Sequence, residues 1–129
     1  MGQGYSYKCK NCNYTLEYLQ GVGFMFIMEA EKLLSDMQTG KMGKRFMIAA
    51  NEASLPEVEH SRELYICDEC GELRPDMKLE LRDAGKLLLV KQHRCGRCRT
   101  RMRIVKKNEK IKCPNCGKPL VIGDMLLWD

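Results

Sequence analysis

All eight cysteines of the chain fall in C-x-x-C pairs: Cys9/Cys12, Cys67/Cys70, Cys95/Cys98 and Cys113/Cys116. No other feature limits the fold so strongly. A C-x-x-C in a tight turn aims two sulfurs at one point, and two such knuckles supply the four ligands of a tetrahedral metal site. Backbone N–H groups in the turn can bond the thiolates and spread their charge. The residue after the second cysteine is often left-handed, which suits Gly71 and Gly117 and is tolerated by Asn13, with Arg99 as the exception. The start of the chain has no apolar core of a signal peptide, so a reducing, cytoplasmic compartment is expected, where cysteine pairs read as metal ligands before disulfides. The longest apolar runs, such as "FMFIM" and "LLLV", are too short to span a membrane, and no membrane partner is expected.

Spacing suggests which knuckles meet. The gap from Cys98 to Cys113 is 14 residues, from Cys70 to Cys95 24, and from Cys12 to Cys67 54. The shortest gap suits a hairpin that closes directly, so Cys95, Cys98, Cys113 and Cys116 are expected to form one site. Cys9, Cys12, Cys67 and Cys70 then form the other, with a helical insertion at about 24–53 between them. Cross-bracing, first with third and second with fourth, is the alternative. The expected fold is a small, metal-dominated α+β protein of two zinc ribbons, antiparallel hairpins with C-x-x-C knuckles. The first ribbon, with its helical insertion, covers 1–92 and the second, basic one 93–129.

The pattern along the chain fits that outline. "YSYKC" and "YTLEYL" read as a hairpin around the first knuckle. Met25 to Thr39 has helical spacing through Ile27, Ala30, Leu34 and Met37, and Gly40 is a helix stop. A second helix is expected over Lys44 to Ala53, burying Phe46, Met47 and Ala50. Residues 61–67 return as a strand, and Met77, Leu79 and Leu81 begin a hairpin that turns at "DAG" and returns through "KLLLVKQ". "TRMRIV" is expected to pair with "KIKC", and "PLVIGDMLLWD" to close the chain as two runs broken at Gly123, with Trp128 plugging the core.

The segments "YKCKNCNYTLEYLQGVGF", "LYICDECG" and "IKCPNCGKPL…MLLWD" resemble a family of small, uncharacterised bacterial double zinc-ribbon proteins. The resemblance spans most of the chain, and "GVGF" and "MLLWD" are its more specific parts. It implies two zinc ribbons and a cytoplasmic location, and it brings no activity with it.

Charge is unevenly placed. The formal net charge is +5, yet residues 86–118 hold twelve Lys or Arg against Glu109 alone, while 57–83 hold nine acids and four bases. Arg97, Arg99, Arg101 and Arg103 recur every second residue between Cys98, Thr100, Met102 and Ile104. In a strand the arginines share one face and the ligand and apolar groups the other. Lys110 and Lys112 alternate likewise with Ile111 and Cys113, and Lys106 and Lys107 add to the surplus. Two or three cations would neutralise a four-thiolate site, so these eight are the candidate contacts for nucleic acid or for an acidic protein surface. Docking onto the chain's own acidic segment at 57–83 would also engage them. His93 is the one ring in 86–118, which argues against base stacking.

Other signals point away from chemistry. "GKMGK" has the wrong glycine spacing for a P-loop and reads as a helix stop and turn. His93 reads as a surface or hairpin histidine, because eight cysteines already fill two sites, and His60, set among acids, as exposed. No nucleophile–base set is present, and a closed four-cysteine site has no open coordination position, so a non-enzymatic module with no small-molecule substrate is expected. Two Zn2+ ions are the expected cofactors. Tetrahedral four-sulfur sites also suit iron, and a rubredoxin-like redox protein is the second alternative. The first alternative is a protein-interaction adaptor using the helices or the basic ribbon, and the leading reading is nucleic-acid binding of a transcription or translation accessory type.

Overall fold

The computed structural model describes residues 2–21, 26–106 and 109–128, with side chains over 4–18, 29–106 and 109–123. The chain divides into two compact units. A cysteine unit comprises 1–22, 62–76 and 92–129, and a helical unit comprises 23–61 and 77–91. The last segment of the cysteine unit begins at Gln92. Residues 1–22 and 62–76 belong with 92–129, because strand pairing described below joins the two ends of the chain.

In the helical unit, α1 (Phe26–Gln38) and α2 (Lys44–Glu52) pack with the first half of β3 (Pro56–Ile66), the second half of β4 (Leu73–Asp83) and β5 (Lys86–Val90). The strands lie in the order β5-β4-β3. Met37, Ala50, Val58, Leu79 and Leu81 form the core, with Leu33, Leu34 and Phe46 against it. Of the residues the helical spacing pointed inward, Met37 and Ala50 are buried in this core and Leu34 and Phe46 pack against it, whereas Ala30 and Met47 are half-buried outside it and the side chain of Ile27 lies outside the described residues. The stop at "GKMGK" is a Schellman motif: Lys41 N–H donates to Asp36 O at 3.0 Å and Gly40 N–H to Met37 O at 3.2 Å. Gly40 has φ 89, a left-handed conformation that a Cβ would strain, and the site where one would sit is 3.2 Å from Met47 Sδ. The "DAG" turn has positive φ at both Ala84 (50) and Gly85 (84), which matches the right-handed twist of the strands it joins. β3 starts at Pro56, five residues before the expected strand. Period two then places His60 on the same face as Val58, and His60 is buried, with Nδ1 3.7 Å from Glu29, instead of exposed.

In the cysteine unit, β1 (Gly2–Cys9) pairs antiparallel with β2 (Thr15–Gly21) in the expected hairpin, matching Tyr5 with Tyr18 and Tyr7 with Leu16. The other edge of β1 pairs with β7 (Leu120–Trp128), matching Lys8 with Val121 and Cys9 with Leu120. β7 does not break at Gly123. The register shifts opposite Tyr5/Tyr7, and a Cβ on Gly123 would lie 3.4 Å from Ser6 O, so glycine lets the strand bulge and continue. The side chain of Trp128 and residues 22–24 of the "GVGF" segment lie outside the described residues, and Gly21 ends β2. β6 (Arg103–Ile104) pairs with β3, matching Ile66 with Arg103 and Tyr65 with Ile104. The expected pairing of "TRMRIV" with "KIKC" is thereby replaced, because the far half of β3 takes the edge that the lysine strand was to fill.

Adjacent residues of β3 point to opposite faces, and both faces are buried here. Leu64 joins Tyr7, Leu73 and Ile111 in one cluster, while Tyr65 joins Cys67, Cys95 and Met102 in another. His93, expected at the surface or in a hairpin, is 4% exposed and stacks on Tyr65 with centroids 4.0 Å apart; its Nε2 lies 3.7 Å from Asp76. Among the described residues, no helix is long and apolar enough to cross a membrane.

Candidate metal centres

The four knuckles repeat one set of backbone bonds. In each, the N–H of the first cysteine donates to the carbonyl five residues on: Cys9 to Tyr14, Cys67 to Glu72, Cys95 to Thr100 and Cys113 to Lys118, at 2.7–3.0 Å. The same downstream residue turns its own N–H onto the second cysteine's sulfur, Tyr14 onto Cys12, Glu72 onto Cys70, Thr100 onto Cys98 and Lys118 onto Cys116. Three knuckles add an N–H to carbonyl bond that closes the turn, from Gly71 to Cys67, Arg99 to Cys95 and Gly117 to Cys113. These are the knuckles with a left-handed residue after the second cysteine, at φ 79, 61 and 77. Among the described residues Arg99 and Ala84 are the two non-glycines with positive φ. The expected roles of Asn13 and Arg99 are thus exchanged.

The sulfurs gather into two groups: Cys9, Cys12, Cys113 and Cys116, and Cys67, Cys70, Cys95 and Cys98. Within each group all ligand atoms lie within 4.8 Å of one another. First therefore pairs with fourth and second with third. This corrects both the sequential pairing and the cross-braced alternative. The cause is strand pairing: β1 against β7 brings Cys9 beside Cys113, and β3 against β6 brings Cys67 beside Cys98. Loop entropy opposes this only weakly. Closing the 100 residues between Cys12 and Cys113 instead of the 14 between Cys98 and Cys113 costs under about 2 kcal/mol more.

The donor sets fit a tetrahedral ion. Metal–sulfur bonds of about 2.3 Å imply sulfur–sulfur edges of about 3.8 Å. Cys9–Cys116 is 3.4 Å and Cys12–Cys113 3.5 Å. Cys67–Cys98 is 3.2 Å, Cys70–Cys95 3.5 Å and Cys70–Cys98 3.9 Å. All are far from the roughly 2.05 Å of a disulfide, and all eight cysteines are free. Titration follows the crowding. The hydroxyl and N–H of Thr100 lower Cys98 to about 6, and the N–H of Lys118 lowers Cys116 to about 6. At Cys12 and Cys70 the N–H groups of Tyr14 and Glu72 favour the thiolate, but burial and the neighbouring sulfurs prevail and push both up to about 12. Thiols set this close ionise together only around a cation. Both groups can hold a metal ion.

The charged residues around the centres are partitioned. Beside Cys67/Cys70/Cys95/Cys98, Arg97 Nη1 reaches Glu72 at 3.4 Å. Arg103 Nε donates to Asp68 at 2.8 Å, and its two Nη atoms donate to Glu109 at 2.9 and 2.7 Å. This fork, with the N–H of Lys106, holds the Glu109 carboxyl down to about 2. Arg101 donates to Gln92 Oε1 at 3.1 Å. Two of the four arginines expected to face a polyanion therefore meet acids of this chain, as docking onto its own acidic segment would have them. Arg99, Lys106, Lys110 and Lys112 are exposed, and Ile111 between the last two and Cys113 after them are buried, so that alternation is as expected. Lys107 lies outside the described residues.

Of the lysines around the other centre, sequence reasoning named Lys112 and missed Lys8, Lys10 and Lys118. Lys8 and Lys10 flank Cys9, Lys112 precedes Cys113, and Lys118 follows Gly117; all four are exposed. The spacing of "KCKNC" and "KCPNCGK" carried this signal, but only the first-with-fourth pairing brings it together.

Compared with family models, curated proteins and solved structures, the chain matches none.

Proposed function

We propose that the protein is a non-enzymatic, zinc-ordered module of the zinc-ribbon type that binds the phosphate backbone of a nucleic acid. Zinc is favoured because closed four-cysteine sites of this spacing are its usual structural setting. Iron accepts the same geometry and gives a coloured protein, whereas zinc gives a colourless one. The metals order the knuckles, and with four protein thiolates on each ion no position is left for substrate. One observation carries the nucleic-acid reading: the cysteine unit exposes lysines and Arg99 that meet no acid among the described residues, beyond the number that two four-thiolate sites require. The test is a fluorescence-anisotropy titration of zinc-loaded protein with labelled RNA and DNA oligonucleotides from low to physiological salt. Binding should weaken linearly in log salt. Undetectable binding at low salt would remove the reading.

A second reading, an adaptor for another protein, rests on the helical unit. Arg45, Ile48, Glu52, Asp83, Leu88 and Leu89 line an open groove of about 480 Å³. Ile48, Leu55, Leu87, Leu88 and Val90 are 37–64% exposed. Apolar surface gathered this way marks interaction sites more often than solvent faces. Substituting Leu88 with Lys should abolish capture of a protein partner and leave oligonucleotide affinity unchanged.

A further inference from the structure

The two centres form an internal control for what their cations do. Each gathers four thiolates, and a divalent ion in either would leave a formal charge of about −2. The knuckles around Cys67/Cys70/Cys95/Cys98 read "ICDECGE" and "RCGRCRT", in which Asp68, Glu69 and Glu72 balance Arg94, Arg97 and Arg99. This sulfur cluster is built with no surplus of positive charge, so neutralising thiolates does not require one. The knuckles around Cys9/Cys12/Cys113/Cys116 read "KCKNCN" and "KCPNCGK", with four lysines and no acid. Lys8, Lys10, Lys112 and Lys118 are all exposed, and none takes part in an ion pair among the described residues.

The backbone brings these lysines to one place. Lys8 pairs with Val121 on β7, and Lys112 bridges to Pro119 one residue before that strand begins. Both stand immediately before the first ligand of their knuckle. Buried neighbours (Tyr7 and Cys9 beside Lys8, Ile111 and Cys113 beside Lys112) hold the backbone that carries them. Like charges are thus fixed around one centre at a cost in self-repulsion, which a polyanion reverses on binding.

We infer that the lysine-flanked centre, and not the arginine-rich one, is the surface that contacts the phosphodiester backbone, through Lys8, Lys10, Lys112 and Lys118. The inference rests on the nucleic-acid reading above and names the site within it. Lysine ammonium groups meet phosphates as point charges and read no base edges, so recognition here is independent of sequence.

The experiment uses the full, zinc-loaded chain and four labelled probes: single-stranded RNA, single-stranded DNA, duplex DNA and polyglutamate of matched charge. In K8Q/K10Q/K112Q/K118Q, affinity at low salt should fall at least ten-fold. For single strands the salt slope should be shallower by about 3, at roughly 0.7 for each phosphate no longer neutralised. The corresponding four-arginine variant should restore both. R97Q/R101Q should change affinity less than two-fold. Metal analysis showing two zinc ions per chain in every variant separates a defect in binding from a defect in folding. If the arginine double variant loses binding and the lysine variant does not, the inference fails while the nucleic-acid reading stands. Absence of oligonucleotide binding by the unaltered protein overturns both. Polyglutamate binding as tight as the oligonucleotides assigns the lysines to an acidic protein and overturns the phosphate assignment. The nucleic-acid probe bound most tightly identifies the source of the backbone.

Discussion

Around Cys67/Cys70/Cys95/Cys98 the cations are tied to the fold: Arg97 to Glu72, Arg103 to Asp68 and Glu109. Around Cys9/Cys12/Cys113/Cys116 the cations are lysines that touch no acid among the described residues. Both centres share the bond from the first cysteine's N–H to the carbonyl five residues on and the N–H to sulfur bond, and three of the four knuckles add the turn-closing N–H to carbonyl bond that the Cys9/Cys12 knuckle lacks. Their difference therefore lies in the residues that chemistry leaves free, at the positions flanking the ligands. Arginine's planar fork suits fixed, bidentate pairing with carboxylates, and lysine's mobile ammonium suits a partner that arrives from solution. One centre looks inward to the protein's own acids, and the other presents its charge to solvent.

The comparison depends on first-with-fourth pairing, and breaking that pairing should produce the largest effect. Cys9→Ser with Cys113→Ser removes two ligands from one centre and should leave one metal ion per chain. Under sequential pairing the same variant would damage both centres and leave none. Native mass spectrometry distinguishes the two. A structural four-cysteine site is worth on the order of 10 kcal/mol of folding free energy, comparable to a whole domain's stability. Full chelation should therefore unfold the cysteine unit. All five tyrosines lie in that unit, and Tyr5 and Tyr7 stack on Tyr18, so near-ultraviolet circular dichroism should lose its tyrosine signal.

Local sequence carried the parts of the fold whose cause is local. The helix stop at Gly40, the turn at Ala84–Gly85 and the β1/β2 hairpin each follow from a few neighbouring residues. All eight ligands were legible for the same reason, since a knuckle is complete within six residues. Their grouping was not. It is fixed by β1 meeting β7 and β3 meeting β6, across separations at which pattern says nothing, and the entropic argument for the shortest loop is weak. The burial of His60 and His93 was hidden similarly. Each depends on a strand boundary or a stacking partner, Tyr65 for His93, that only tertiary structure supplies. Of the basic stretch, the lysine part from Lys110 to Cys113 keeps the expected alternation, but Arg97 and Cys98 lie in the knuckle turn and Arg99 is left-handed, so the four arginines do not share one strand face, and Arg97 and Arg103 meet acids that only the fold brings opposite them.

A smaller effect sharpens the contrast in charge. Arg103→Ala breaks a bidentate pair with Glu109 and a bond to Asp68. Arg103 is 39% exposed and Asp68 64%, so solvent weakens the pairs, and the cost should be about 1 kcal/mol. Lys112→Ala, on an exposed side chain with no ion pair, should stay within about 0.5 kcal/mol of the unaltered protein. Urea denaturation at saturating zinc measures both. Equal losses would remove the distinction between structural arginines and free lysines.

The smallest effect concerns the turn that both centres share. Arg99 holds φ 61 where Gly71 and Gly117 hold 79 and 77 in their knuckles. A side chain in the left-handed region costs roughly 1–2 kcal/mol, part of which glycine returns through the entropy of its unfolded state. Arg99→Gly should then stabilise the protein by about 0.5 kcal/mol. Gly117→Ala should destabilise it by about 1 kcal/mol, and through backbone strain alone, since a Cβ there meets nothing within 4 Å. Asn13→Gly should destabilise slightly, because Asn13 is not left-handed and glycine only adds unfolded entropy. Urea midpoints in those three directions would establish that the first knuckle is the odd one in backbone and the third the odd one in residue. Stability does not explain an arginine at position 99. The side chain is exposed and forms no ion pair among the described residues, and unlike Arg94 and Arg101, which donate to Arg99 O and Gln92 Oε1, it makes no hydrogen bond there either, so Arg99 is the cation of the acid-paired centre that most resembles the lysines of the other. If Arg99→Gly gains stability and also loses oligonucleotide affinity, the strained arginine belongs with the lysines as a contact, and the division between the centres runs between residue 99 and its neighbours.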